Sequence, residues 1–175
     1  MAFQQLIRRP HGALRNRWRA ANPHLRYPPR CDIVGDVRVV LDTAVVVAAM
    51  RSPLGASAEL LRRVRSGEMV AVTGVALALE YEAICRRPEH RMSSGLTLAE
   101  VDTFICALIA MMKPVRSHFL WRPQLRDSND EMVLEAAING RVQMIVTFHT
   151  KDFEAAADFG IDVLLPGNAL KRLIQ

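Results

Sequence analysis

The sequence predicts an α/β protein, a three-layer α/β/α sandwich with a central parallel sheet. Short runs of β-branched and aliphatic residues alternate along the chain with longer helical segments, as they do where helices join parallel strands. Apolar residues occupy consecutive positions in these runs, which is typical of strands covered on both faces. With 175 residues, 50% of them hydrophobic, the chain can bury such a core without disulfides or a structural metal.

Two strands are predicted in the first half of the folded region, each followed by helical sequence. A β-branched run ends at Asp42, Ser66-Gly67 closes a helix, and Pro88 ends another. The predicted elements are a strand at 37–41, a helix at 44–50, a turn at 52–55, a helix at 56–65, a strand at 69–72, a helix at 75–87 and a polar loop at 88–96.

Two capping boxes mark helices in the second half. Thr97 with Glu100 opens a helix through residue 112, and Ser128 with Glu131 opens another, which ends at a left-handed stop at 139–140. The further predicted elements are a strand at 115–120, a loop at 122–126, a strand at 144–147, a helix at 152–159, a strand at 161–165 and a final helix at 166–174.

Charge divides the chain into two parts. Residues 1–31 contain seven arginines and no acidic residue, whereas the rest of the chain has 16 basic and 18 acidic side chains. The N-terminal part also contains four prolines and no apolar stripe, so we expect residues 1–36 to be a basic, disordered extension and residues 37–175 to form the folded domain. Three interpretations of the extension stay open: a phosphate-binding tail, a targeting segment, or sequence upstream of the true start codon.

Cysteine usage and hydropathy predict a cytoplasmic protein. The three cysteines form no C-x-x-C pair, and their odd number argues against a disulfide framework. The longest uncharged runs, 69–79 and 103–112, have eleven and ten residues, whereas a membrane span needs about 20. We therefore expect no membrane segment.

Acidic side chains occur where the ends of parallel strands meet. Asp42 ends the first strand, Asp152 follows the fourth, Asp127 and Asp130 precede the helix that leads into the fourth, and Glu80 lies on the helix after the second. If the first and fourth strands are neighbours, these carboxylates converge beyond the carboxyl end of the sheet, where ligands bind in such folds. A cluster of this kind repels itself unless a divalent cation neutralises it, and hard oxygen ligands favour Mg²⁺ or Mn²⁺.

Each acid also has a structural explanation. Asp42 can simply end a strand, Asp127 and Asp130 can complement a helix dipole, Glu80 can be a solvated helix residue, and Asp152 can cap a helix. Their joint placement is what favours a site. Competing sites lack their motifs, since the sequence contains no G-x-G-x-x-G, no P-loop and no G-x-S-x-G.

These residues together resemble the PIN-domain family, specifically its branch of toxin components of bacterial toxin–antitoxin systems. The resemblance covers residues 37–174. The matching segments are RVVLDT at 38–43, RSPLGAS at 51–57, LEYE at 79–82, RRP at 86–88, WRP at 121–123, RDSNDE at 126–131, IVT at 145–147, KDF at 151–153 and IDVLLP at 161–166.

The resemblance implies a metal-dependent ribonuclease. Asp42, Glu80 and Asp130 match the three principal acids, and Asp127 and Asp152 match additional metal ligands. It also implies an RNA substrate, homodimerisation and a small antitoxin that covers the acidic groove. Phosphate contacts can come from the basic extension or from a set of arginines on the helices, namely Arg62, Arg63, Arg65, Arg86 and Arg87, although a solvated helix face is the favoured explanation of these arginines.

Two positions depart from the family pattern. Ala44 stands where the family usually has Asn, and His149 stands where Asn or Asp follows the threonine of the fourth strand. Thr43 and Thr147 remain, and with His149 they form a second layer that can orient ligands or waters. We expect an endoribonuclease toxin; the alternative is a degenerate PIN module that binds RNA or a protein partner without cutting.

Overall fold

A computed structural model of the protein describes residues 37–116, 125 and 127–173. The chain divides between Asp36 and Val37 into two units, and every described residue belongs to the second. The predictions for the N-terminal extension, for the strand and loop residues 117–124 and 126, and for the WRP segment lie outside the described residues.

The core is a five-stranded parallel sheet of order β3-β2-β1-β4-β5. The strands are β1 (Arg38–Leu41), β2 (Val70–Thr73), β3 (Lys113–Pro114), β4 (Met144–Val146) and β5 (Asp162–Leu164). In the centre, Val39 of β1 aligns with Ala71 of β2 and with Met144 of β4. The predicted α/β class is confirmed, and β1 and β4 are neighbours, which is the condition for the predicted acids to converge.

Seven α-helices and one 3₁₀ helix connect these strands in the part of the chain that is described. They are α1 (Thr43–Arg51), α2 (Ala56–Ser66), α3 (Val75–Cys85), α4 (Pro88–Ser94), α5 (Leu98–Met111), α6 (Glu131–Gly140), the 3₁₀ helix Thr150–Phe159, and α7 (Pro166–Arg172). The strand order reverses at β1. Parallel crossovers are right-handed, so the helices that precede β3 cover one face of the sheet and α6, which follows β3, covers the other. This two-sided cover explains why Val39, Val40 and Leu41 are all buried.

Helix α6 packs directly on the central strands, and a glycine permits the close approach. This helix contacts β1, β2 and β4 through the buried residues Val133, Leu134 and Ala137. A Cβ atom on Gly140 would lie 2.8 Å from Cγ2 of Val72. Since real Cβ atoms do not come that close, Gly140 is required by packing, and the left-handed residue after the helix is Arg141, with φ +50°. The predicted left-handed stop at Gly140 is therefore wrong by one residue.

The predicted polar loop at 88–96 is wrong, because these residues form helix α4. Pro88 is the first residue of this helix, where its fixed φ suits the helix and its missing N–H would have no partner in any case. Gly95 ends the helix in the left-handed conformation. By contrast, the predicted capping box of Thr97 and Glu100 is confirmed at the start of α5.

The second predicted capping box, from Ser128 to Glu131, is wrong. Helix α6 begins at Glu131, and Asp130 is its N-cap residue. In the described structure the side chain of Asp130 forms no capping hydrogen bond. The backbone N–H of Asn129 instead donates to Oδ1 of Asp127 at 2.9 Å, which folds the chain into a turn before the helix. Glu131 points inward, where its Oε1 accepts the backbone N–H of Leu125 at 2.7 Å.

Strand β3 lies earlier than the predicted strand at 115–120. Thr73 of β2 aligns with Pro114, and the N–H of Val115 donates to the Thr73 carbonyl at 2.9 Å. A proline is tolerated here because β3 is an edge strand.

Among the described helices, no single one is long and apolar enough to cross a membrane, although two bent helix pairs reach the required length and composition.

Candidate active site

Asp42 is fixed at the point where the strand order reverses. It is the first residue after β1, and its backbone N–H donates to the carbonyl of Val146 in β4 at 2.9 Å. Only 7% of its surface is exposed. A buried carboxylate is costly without a partner, and Thr147 supplies one, because its Oγ1 donates to Oδ2 of Asp42 at 2.6 Å.

The hydroxyl of Thr147 is oriented by the backbone of His149, one of the two positions that depart from the family pattern. The backbone N–H of His149 donates to Oγ1 of Thr147 at 3.0 Å, and Thr147 is fully buried. A hydroxyl has one proton to give, so acceptance from His149 leaves that proton for Asp42. The side chain of His149 is itself exposed.

Asp130 lies in the turn before α6 and is half-buried. Burial, followed by the negative charges of Asp42, Asp127 and Asp152, raises the pKa of the Asp130 carboxyl to about 6, and His149 acts in the opposite direction. These charges are close enough to influence one another. The structure therefore brings together four of the five predicted acids and His149 near the carboxyl ends of β1 and β4.

Asp127 and Asp152 form the exposed rim of this cluster. Asp127 belongs to the turn that leads into α6, where its carboxylate accepts the N–H of Asn129. Asp152 lies in the first turn of the 3₁₀ helix, which begins at Thr150 after His149, so Asp152 does not occupy the capping position considered for it.

Glu80 is half-buried on α3 and is not one of the charges that act on Asp130. Its helix is nevertheless tied to β1, because the hydroxyl of the next residue, Tyr81, donates to the carbonyl of Leu41. Leu41 directly precedes Asp42. The structure thus links the helix that carries Glu80 to the strand end that carries Asp42.

Tyr81 is the residue of this region that sequence reasoning did not single out. It is completely buried, and the hydroxyl of Thr73, the last residue of β2, contributes to its electrostatic surroundings. Burial, together with the charge of Asp42, raises the pKa of the Tyr81 hydroxyl far above its ordinary value, so this group stays protonated and donates. A signal was present, since Tyr81 is spaced four residues from both Leu77 and Cys85 in one buried stripe of α3.

Thr43 and Ala44 begin helix α1 beside the cluster. Thr43 is buried and Ala44 is half-buried, and the methyl group of Ala44 offers no ligand atom.

Three arginines considered for phosphate contact already have acidic partners. Arg62 and Arg63 both bond Glu59, at 2.6 and 2.9 Å, and Arg86 bonds Asp102 at 2.8 Å.

The donor chemistry of the cluster fits a divalent cation. Among the described residues, no three His, Cys, Asp or Glu side chains are grouped closely enough to hold one metal ion. Magnesium, however, is usually bound through only one or two carboxylates, together with waters and substrate phosphates. Asp42 and Asp130 satisfy that requirement in chemical type, and a cation would relieve the repulsion that raises the pKa of Asp130.

The chain matches one family of known proteins. The sequence model of the PIN domain matches residues 38–151, which run from β1 into the 3₁₀ helix and include every residue of the candidate site except Asp152, which directly follows the matched range. A comparison with curated proteins found no match. PIN domains are generally nucleases that use divalent metal ions. Since the match extends over more than half of the sequence, the chain belongs to the PIN-domain family.

Proposed function

We propose that this protein is an endoribonuclease that hydrolyses RNA phosphodiesters with a carboxylate-bound Mg²⁺ or Mn²⁺. The observation that carries the proposal is the convergence of Asp42, held by Thr147, with Asp130, whose pKa is raised by burial and by its acidic neighbours. Acidic groups that crowd one edge of a sheet destabilise the fold unless they serve a bound cation.

Each residue of the cluster has a part in this chemistry. Asp42 and Asp130 hold the ion, and Glu80, Asp127 and Asp152 supply further oxygen ligands. The hydrogen bond from Thr147 to Oδ2 fixes the orientation of the Asp42 carboxylate. When bound, a divalent ion lowers the pKa of a coordinated water and offsets charge on the leaving oxygen. Thr43, Thr147 and His149 orient the groups around it.

The biological role that we propose is that of a toxin in a type II toxin–antitoxin system, acting in the cytoplasm. Cys85 and Cys106 are free thiols, which suits a reducing compartment. Val75 and Leu79 on α3 are 77% and 60% exposed, close in sequence to Glu80. Exposed apolar surface of this kind marks protein contacts, and it supports a homodimer and a small antitoxin as partners. A short upstream gene for a DNA-binding protein with a disordered tail would support this role.

Cleavage of RNA by matched variants tests the proposed activity. The wild type should cut single-stranded RNA with Mg²⁺ or Mn²⁺ and stop when EDTA is added. Asp42→Asn should lose most of the activity, whereas Asp158→Asn, which makes the same change at an exposed residue, should cut normally. Cleavage that persists unchanged in Asp42→Asn would overturn the proposal.

A degenerate PIN module that binds RNA or a protein without cutting is the second candidate. Ala44 and His149 favour it, because each replaces an oxygen donor of the family pattern, and so does the lack of three grouped ligands among the described residues. RNA binding without cleavage under every metal condition would establish this candidate in place of the first.

A further inference from the structure

An apolar cavity of about 440 Å³ has Phe148 in its lining, and the proposed chemistry does not use it. Its walls come from the end of α1, the start of α2, the chain after β4 and the start of α7. The residues that line it include Ala48, Ser52, Ala56, Phe148, Leu165 and Asn168. The cavity has the size of a typical small-ligand site.

Phe148 joins this cavity to the carboxylate cluster. It stands between Thr147, whose hydroxyl bonds Asp42, and His149, whose backbone N–H bonds that same hydroxyl. Successive Cα atoms are about 3.8 Å apart, so the cavity begins one residue away from the site. The Phe148 side chain is 46% exposed and lines the cavity, which leaves an aromatic surface available to a ligand.

We propose that this cavity binds an unpaired RNA base, stacked on Phe148, next to the phosphodiester that is cut. The inference rests on the proposed function. Single-stranded RNA is recognised by bases that stack on aromatic side chains and form hydrogen bonds along their edges. The ring of Phe148 offers the stacking surface, and Asn168 and Ser52 in the cavity wall offer the polar atoms.

Charge favours a base over a phosphate as the occupant. Of the described residues that line the cavity, none is acidic or basic. A phosphate would have no cationic partner there, whereas a neutral base needs none. The contribution of the cavity to RNA binding should accordingly be insensitive to salt, in contrast to contacts with the RNA backbone.

A binding experiment on the full chain separates this subsite from other effects. A short fluorescein-labelled single-stranded RNA is titrated in EDTA, so that no variant cuts it, and its anisotropy is followed. Phe148→Leu should weaken binding about tenfold, as expected when one stacked base loses its aromatic partner. Phe148→Trp should retain the affinity. Phe159→Leu makes the same change at an exposed ring outside the cavity and should bind as the wild type does.

An RNA series with one abasic position completes the test. When the missing base is the one that occupies the cavity, Phe148→Leu should produce no further loss, and the slope of affinity against salt should be equal in wild type and variant. Unchanged RNA affinity in Phe148→Leu would overturn the subsite. If the variant binds RNA normally but no longer binds a partner protein, the cavity is a protein-binding site. Normal cleavage by Phe148→Leu with an unchanged KM would contradict the subsite but not the proposed nuclease activity. RNA binding that depends on Phe148, without any cleavage, would contradict the nuclease activity but not the subsite.

Discussion

Thr147 Oγ1 lies 2.6 Å from Oδ2 of Asp42, and this hydrogen bond joins residues that are 105 positions apart in the sequence. The two residues follow adjacent parallel strands, β1 and β4. The bond sets the orientation of a buried carboxylate at the place where ligands bind in open parallel sheets. It makes Thr147 the side chain on which the candidate site most directly depends.

Removing the Thr147 hydroxyl should damage both stability and metal binding. Thr147→Val preserves the shape but leaves the Asp42 carboxylate without its donor, which should lower the free energy of unfolding by about 1–3 kcal/mol. Loss of such an orienting partner should weaken Mn²⁺ binding about tenfold. Urea unfolding and calorimetric titration measure the two effects. Thr103→Val, at an exposed helix position, is the control, and equal behaviour of the two variants would refute the orienting role.

Stability should depend on pH through Asp130. Its pKa in the folded protein is about 6, above the ordinary value of 3.8, so between these values the native state keeps a proton that the unfolded chain has released. The resulting stabilisation is present at low pH and is lost as the pH rises through about 6. Allowing for partial exposure of the group, it should be on the order of 1 kcal/mol.

Asp130→Asn isolates this contribution. Urea unfolding in EDTA, at pH values below and above that pKa, should show the variant gaining stability relative to wild type as the pH rises, because only the wild type acquires the unfavourable charge. A stability difference that stays constant with pH would show that Asp130 ionises normally.

Tyr81→Phe tests the buried link between α3 and β1. The change removes only the hydroxyl, which leaves the carbonyl of Leu41 without its donor and should lower the free energy of unfolding by about 1–3 kcal/mol. Thr73→Val removes a second hydroxyl that acts on the Tyr81 hydroxyl. In the double variant the two losses should not add, since both belong to one polar cluster. Strict additivity would show that the two hydroxyls act independently.

Gly140→Ala should destabilise the protein although alanine is the better helix former. The added Cβ would meet Val72 at 2.8 Å, and overpacking of this kind costs about 1–3 kcal/mol. Val72→Ala in the same chain should recover part of the loss. Gly74→Ala, where a Cβ would meet nothing within 4 Å, is the control. Thermal unfolding measures all four proteins, and an increase in stability for Gly140→Ala would contradict the packing at this position.

Features set by neighbouring residues could be predicted from the sequence. The capping box of Thr97 and Glu100 is complete within four residues, and the position of Asp42 follows from the apolar run that precedes it. Strand order was not predicted; the adjacency of β1 and β4 entered only as the condition for the acids to converge, and the structure meets it. The site residues themselves stay predictions until metal binding and cleavage are measured.

Features set by distant contacts could not be predicted. Gly140 packs against Val72, which is 68 positions earlier, and the left-handed conformation falls on Arg141 instead. Tyr81 was missed because its partner is a main-chain carbonyl on another strand, which no side-chain motif reveals. Glu131 fits the spacing of a capping box, yet its carboxylate turns inward to the N–H of Leu125.

Crystals of the full chain soaked in Mn²⁺ test the metal site most directly. Anomalous scattering locates Mn²⁺ without reference to activity, so the result does not depend on finding the right RNA. The expected result is a peak in contact with the carboxylates of both Asp42 and Asp130, which disappears in crystals of Asp42→Asn. A peak elsewhere, or none at millimolar Mn²⁺, would contradict a metal-dependent nuclease site at the junction of β1 and β4.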